Sequence, residues 1–270
     1  LEERKRKRIR HLVDLYYDVQ EVRKAANNRL REISENIEEA RESDEIRIED
    51  YTELERALNK YIEDHLNPKH LKDLEKEIKR RLDKELKTVE IYTEFLRNIK
   101  GISMTLGAGL LSRLDSHKAP YPSSFWKFCG MHPEGARGRS RGEKIGYNPW
   151  MKTHVWKVGD SFVKQRTPKY RSIYDCAKEE EREKLNDPIS DPKNCPHYEE
   201  CFEELKEKAE RAGREPKSPS CRGHIDNRAR RKMVKEFLKD FWVEWRSLEG
   251  LEVREPYHEA IQDSKREAKA

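Results

Sequence analysis

The chain has 270 residues, of which 41% are charged and 34% hydrophobic, and its 58 Lys and Arg against 53 Asp and Glu leave a net charge of +5. That apolar share is too small for one large compact core and points to long, solvated helices. No apolar run approaches the roughly 18 residues of a membrane span, and no secretory hydrophobic segment is present.

Residues 1–100 read as helices that pack on one another. Ile9, Leu12, Tyr16, Val19, Ala26, Leu30, Ile33, Ile37 and Ala40 alternate spacings of three and four, the seam of a coiled coil. Ser43 and Asp44 break the pattern. A second helix carries Tyr51, Leu54, Leu58, Tyr61 and Ile62 and stops at Asn67-Pro68. A third runs from His70 to Ile99 with Leu71, Leu74, Ile78, Leu82, Val89, Tyr92, Leu96 and Ile99 on its stripe. Short connections favour antiparallel packing, so residues 1–94 form a coiled-coil arm that spaces or dimerises the chain.

The stretch LRNIKGISMTLGAGLLSRL (residues 96–114) interrupts this charged texture with three glycines and no acid. A helix ending at Ile99, a Gly-Ile turn and a second helix through Leu110, Leu111 and Leu114 make a helix-hairpin-helix. Gly101 permits a turn with positive φ. The amides from Gly101 through Ser103 to Thr105, at the start of the second helix, can then bind a phosphate. Gly107 and Gly109 let the helices approach. Ser103 stands where such hairpins usually place a second glycine.

From Asp115 to Pro149 the chain is rich in Pro, Gly and Ser around a short helix at Ser123–Cys129, capped by Ser123 or Ser124. Helices follow at Pro149–Gln165, Tyr170–Leu185, Tyr198–Ala212 and Ile225–Leu248. No strand-like alternation of useful length occurs, so the class is all-α. Between Gly135 and Asp175 ten Lys or Arg face three acids, a patch suited to a phosphate backbone. Its loop offers Arg137, Arg139, Arg141 and Lys144. On the last helix Val234, Phe237, Leu238, Phe241 and Trp245 share one face, while Arg228, Arg231, Lys232, Lys235 and Lys239 lie nearly opposite. We expect the hairpin, the loop and this helix to form one continuous clamp for nucleic acid.

Cys195 and Cys201, spaced C-x5-C, precede Cys221 and His224, spaced C-x2-H. Three thiolates and an imidazole suit a closed, structural zinc site, which would anchor the start of the last helix. With no secretory segment, five cysteines fit a reducing compartment better than disulfides. Cys129 and Cys176 read as ordinary free thiols.

Three stretches carry a family likeness: IKGISMTLGAGLLSRL, SSFWKFCGMHP and GARGRSRGEKIGYNPWMKTHVWKVGDSFVK. Residues 95–185 resemble the C-terminal Tnp domain of insertion-sequence 110 type transposases. That domain shows a Gly-Ile-Gly hairpin, a phenylalanine-bearing helix ending in a Gly-Leu-x-Pro turn, a basic Ser-Gly loop and a lysine-containing helix. Phe125 and Gly130-Met131-His132-Pro133 match the second of these, and Ser140 lies where the family has its proposed nucleophile. The loop departs from the family by reading Ser140-Arg141-Gly142. The family's RuvC-like domain, with its four metal-binding acids, has no counterpart in these 270 residues. No base for Ser140 is identifiable, and His154 reads as structural.

The resemblance therefore implies DNA binding more than catalysis. Three domains follow: the arm (1–94), the transposase-like domain (95–185) and a zinc-anchored basic region (186–270). The expectation is a cytoplasmic, nucleoid-associated DNA-binding protein that oligomerises through its arm. Its Lys and Glu content leans toward a thermophilic source. Two alternatives stay open: an active recombinase using Ser140 with acids from another domain, and an RNA-binding or ribosome-associated factor.

Overall fold

The computed structural model describes residues 1–42, 57, 60, 68–132, 142, 144–216, 218–219 and 221–254. Among them every regular element is helical. The α-helices are α1 (Glu3–Glu42), α2 (Pro68–Leu86), α3 (Met104–Arg113), α4 (Pro122–Phe128), α5 (Pro149–Gln165), α6 (Pro168–Lys184), α7 (Tyr198–Arg211) and α8 (Arg222–Leu248). Of the helix expected over residues 51–66, only Ala57 and Lys60 are described, both in helical conformation; the rest lies outside the described residues. No described helix is long and apolar enough to cross a membrane.

Contacts divide the chain into two compact units, residues 1–89 with 111–113 and residues 90–110 with 114–270. In the first, α1 and α2 run antiparallel. Arg8 pairs with Glu85 at 3.2 Å and Arg23 with Glu75 at 2.5 Å, so later residues of α1 meet earlier residues of α2. Ile9, Val13, Tyr16, Val19 and Ala26 are buried on α1, as are Ile78, Leu82 and Leu86 on α2. Val13 rather than Leu12 enters the seam. Leu74 is 43% exposed, whereas Glu75 is 6% exposed. Arg23 accounts for that inversion, because a charge-assisted pair lets a carboxylate occupy a buried position that an unpaired one could not.

The third helix expected from the sequence does not continue to Ile99. α2 stops at Leu86, where β-branched Thr88 and Val89 follow and the Val89 amide bonds back to Leu86. The chain resumes as a π turn (Ile91–Phe95) and a 3₁₀ turn (Leu96–Asn98).

The second unit is organised around α8. Its Val234, Phe237, Leu238, Phe241, Trp242 and Trp245 are all at most 1% exposed. Phe162 of α5 meets Phe237 edge-on at 5.1 Å, and Phe125 of α4 lies 5.9 Å from Phe241. Hydrogen bonds fix the rotation of the helix. Trp242 donates its indole N–H to the Ala119 carbonyl at 2.7 Å, Arg246 donates to the Ser116 carbonyl at 2.8 Å, and Trp126 donates to the Lys235 carbonyl at 2.9 Å. At the α5–α8 crossing a Cβ on Gly159 would come within 2.7 Å of Val234, so the two backbones meet where glycine stands.

Helix starts follow local chemistry. Asn148 caps α5 by accepting from the Met151 amide at 3.0 Å, with Pro149 at the first helical position. α4 begins one residue before the expected Ser123, because Pro122 takes that first position after extended Tyr121 and no side chain caps the helix.

Gly159→Ala is expected to cost about 1–3 kcal/mol through overpacking, read from urea unfolding of the full chain; a change below a few tenths would show that the crossing is looser than described.

Candidate nucleic-acid interface

The hairpin forms, and its turn faces inward. Gly101 has φ +96°. Thr167 donates its hydroxyl to the Lys100 carbonyl at 2.7 Å, and Ser161 donates to the Gly101 carbonyl at 2.6 Å. Ser103 sits at φ −73°, ψ 161°, where any residue fits, so the second hairpin glycine is not needed here. Its hydroxyl accepts from the Leu106 amide at 3.3 Å and caps α3. Ser103 is exposed and Thr105 partly so. Among the described residues nothing accepts from the amides of Ser103, Met104 and Thr105. Gly107 abuts the Tyr92 ring, and Gly109 lies against buried His154, whose ring hydrogen-bonds to the Leu106 carbonyl at 2.9 Å and stacks on Trp150. His154 therefore serves packing.

On α8 the five expected cations behave differently from one another. Arg228 reaches Glu181 of α6 at 2.9 Å, Lys232 reaches Glu180 at 2.7 Å, and Lys239 pairs with Glu236 at 2.7 Å. Lys232 and the salt bridge that binds it hold the Glu180 carboxyl below its usual range. Burial opposes the same shift at Glu181, but hydrogen bonds from Arg228 and Lys184 outweigh it. Arg231 and Lys235 have no carboxylate among the described residues. Both are partly buried. Burial first, then the charge of Arg228, lowers the Arg231 pKa, and burial followed by Arg231 lowers that of Lys235. Lys235 instead lies 4.3 Å over the Trp126 ring, and the Arg231 Nε is enclosed without an acceptor. These are two cations held close together with no local counter-charge.

Arg137, Arg139, Ser140 and Arg141 lie outside the described residues. The segments flanking them are both tied to α4: the Met131 amide bonds to the Trp126 carbonyl at 2.8 Å, and the Asn148 amide to the Phe128 carbonyl at 2.9 Å. The basic stretch thus leaves and returns at the end of the helix that bears Trp126. Lys144, beside the return, is exposed.

The hairpin does not share that edge. Asn98, Ile99 and Lys100 line a cavity of about 600 Å³ with Asp240, Val243 and Glu244 of α8. Asp240 follows Arg231 by nine residues, which at about 100° per residue is half a turn out of phase. Hairpin and cation pair therefore occupy opposite sides of α8, and acids flank the hairpin side. Hairpin and cation pair thus do not make one continuous surface, and the loop Arg137–Arg141, the other part of the expected clamp, lies outside the described residues. The sequence reading also missed Trp126, whose partnership with Lys235 joins residues 109 apart in the chain.

Of the expected metal ligands, Cys195 and Cys221 are buried together with Leu185 and Ile225. Burial, the hydrogen bond to Cys195, and the nearby Cys195 and Cys201 push the Cys221 thiol up to about 11. Burial and Cys195 likewise raise Cys201. His224 is exposed one turn into α8. Among the described residues no group of three or more His, Cys, Asp or Glu side chains stands arranged to hold a metal ion. Cys129 is buried alone and Cys176 is exposed.

No family model matches the chain, and no curated protein or solved structure matches it.

Ser103→Ala should destabilise the chain by about 1 kcal/mol and Ser103→Gly by only a few tenths, compared by thermal unfolding. Equal losses would show that the hydroxyl does not cap α3.

Proposed function

We propose that the protein binds the sugar–phosphate backbone of DNA along the edge where α4 meets α8. The observation that carries this reading is the pair Arg231 and Lys235, partly desolvated, adjacent and without a carboxylate among the described residues. In a chain with 53 acids, leaving two neighbouring cations unneutralised beside an indole is costly unless an anion completes them. A phosphate supplies that charge, and Arg presents a fork that matches it. Exposed Lys144, four residues before the Asn148 amide that bonds to the Phe128 carbonyl of α4, adds a further cation toward the same edge. Backbone contacts of this kind carry affinity and position rather than sequence.

DNA is preferred over RNA because residues 95–185 resemble the Tnp domain of insertion-sequence 110 type transposases. In this reading the amides of Ser103–Thr105, which have no acceptor among the described residues, make a separate, weaker phosphate contact, which lets the protein touch two strands of a branched or end structure. The arm acts as a coiled-coil oligomerising element. Leu15 and Val22, seven residues apart on α1 and each 46% exposed, stand outside the α1–α2 seam. Binding does not require cutting; cleavage with Ser140 as nucleophile would reveal itself as a covalent protein–DNA adduct lost in Ser140→Ala.

The test is the salt dependence of binding to duplex DNA, junction DNA and structured RNA. Arg231→Gln and Lys235→Gln should each weaken DNA binding and lower the slope of log K against log salt by about one. Glu180→Gln with Glu181→Gln releases Arg228 and Lys232 and should strengthen it. Unchanged slopes in all these variants contradict the reading, and a preference for RNA above about tenfold, ~1.4 kcal/mol, reassigns the partner.

A further inference from the structure

α7 has a difficulty that apolar packing does not resolve. It spans Tyr198–Arg211, yet none of its residues is buried. The small core beneath its start contains only Leu185, Cys195, Cys221 and Ile225, with Ile189 and Tyr198 partly buried against it. Segments with so little core are commonly held by a metal or a cross-link. Two of those four core residues are cysteines, Cys195 and Cys221, buried in the same cluster.

We propose that Cys195, Cys201, Cys221 and His224 hold a structural zinc ion that ties the start of α7 to the start of α8. Cys195 precedes α7 by one turn, and its carbonyl accepts from the Tyr198 amide at 3.0 Å. Cys201 is in the first turn of α7 and partly exposed. Cys221 caps α8, and His224 comes three residues later, on the same helical face. As they stand, the side chains are not closed into a ligand set. No hydrogen bond or ion pair among the described residues holds the Cys201 thiol or the His224 ring elsewhere. Rotation of these two accessible groups toward the buried pair completes the set, each thiol releasing its proton as it ligates.

The donor set selects the metal. Three thiolates and one imidazole in a closed tetrahedral arrangement suit zinc and leave no position for substrate. Cys129 gives the contrast: it is buried far from any other cysteine partner, as an inert core thiol is. A Cys195–Cys221 disulfide would leave Cys201 and His224 without a role.

The experiment titrates cobalt(II) into the full chain, reduced and stripped of metal. We expect thiolate-to-cobalt charge-transfer and tetrahedral ligand-field bands that saturate at about one equivalent and vanish on adding zinc. Cys195→Ser, Cys201→Ser and Cys221→Ser should each weaken binding by more than about tenfold, while Cys176→Ser should not. His224→Asn should change the ligand-field bands. Amide exchange across residues 198–211 should rise on zinc removal. Absence of thiolate bands in the wild-type chain overturns the proposal without reference to any variant. An unaltered spectrum in His224→Asn overturns the four-ligand set, and a Cys195–Cys221 disulfide in the metal-exposed protein overturns it as well.

Discussion

The rotational setting of α8 governs the second unit. Trp242, Arg246 and the Lys235 carbonyl are pinned by hydrogen bonds to residues 116–126, and Val234 is pressed against Gly159. A helix so constrained cannot turn to bring other side chains outward. Its buried apolar residues then dictate the position of every cation on the remaining surface. Arg228 and Lys232 face the acids of α6, while Lys235 lies over Trp126 and neither it nor Arg231 meets an acid among the described residues. The placement of these cations is thus a consequence of core packing, transmitted by a rigid helix.

Pairing, more than the number of cations, separates binding surface from solvated surface here. Exposed ion pairs contribute little to stability, but they remove a charge from competition for phosphate. Several described cations of the second unit are committed in this way: Lys169 to Asp240, Arg171 to Asp175, Arg182 to Asp187, and Arg230 to Asp160 and Asp226. The hairpin side of α8 is further shielded by Asp240 and Glu244. The α4–α8 edge differs because no described acid pairs with Arg231 or Lys235 there, and because the described flanks of the basic stretch, Met131 and Asn148, bond to α4.

Periodicity made the helical class and most helix limits legible. Pro149, Asn148 and the aromatic spacing of α8 act within a few residues, so a linear reading finds them. It found the inward face of α8 for the same reason. It failed where the deciding partner lies far along the chain. Glu75 breaks the apolar stripe of α2 and is buried because Arg23, 52 residues earlier, meets it. The end of α2 was hidden because its apolar stripe continues through Val89, Tyr92 and Leu96 while the backbone changes to π and 3₁₀ turns. The five cations of α8 looked equivalent on a helical wheel, and it is their pairing with Glu180, Glu181 and Glu236 that distinguishes them. The hairpin was readable from Gly101, but its position relative to Arg231 depends on which side of α8 it packs against.

The most direct measurement of the central claim is lysine acylation read by mass spectrometry, with and without duplex DNA. The depressed pKa of Lys235 leaves more of its amine neutral, so it should react readily in the protein alone. The account predicts that DNA protects Lys235 and Lys144 while Lys100 and Lys169, on the hairpin side, stay as reactive as before. Protection of Lys100 and Lys169 with Lys235 still reactive would place the nucleic acid on the opposite side of α8 and contradict it.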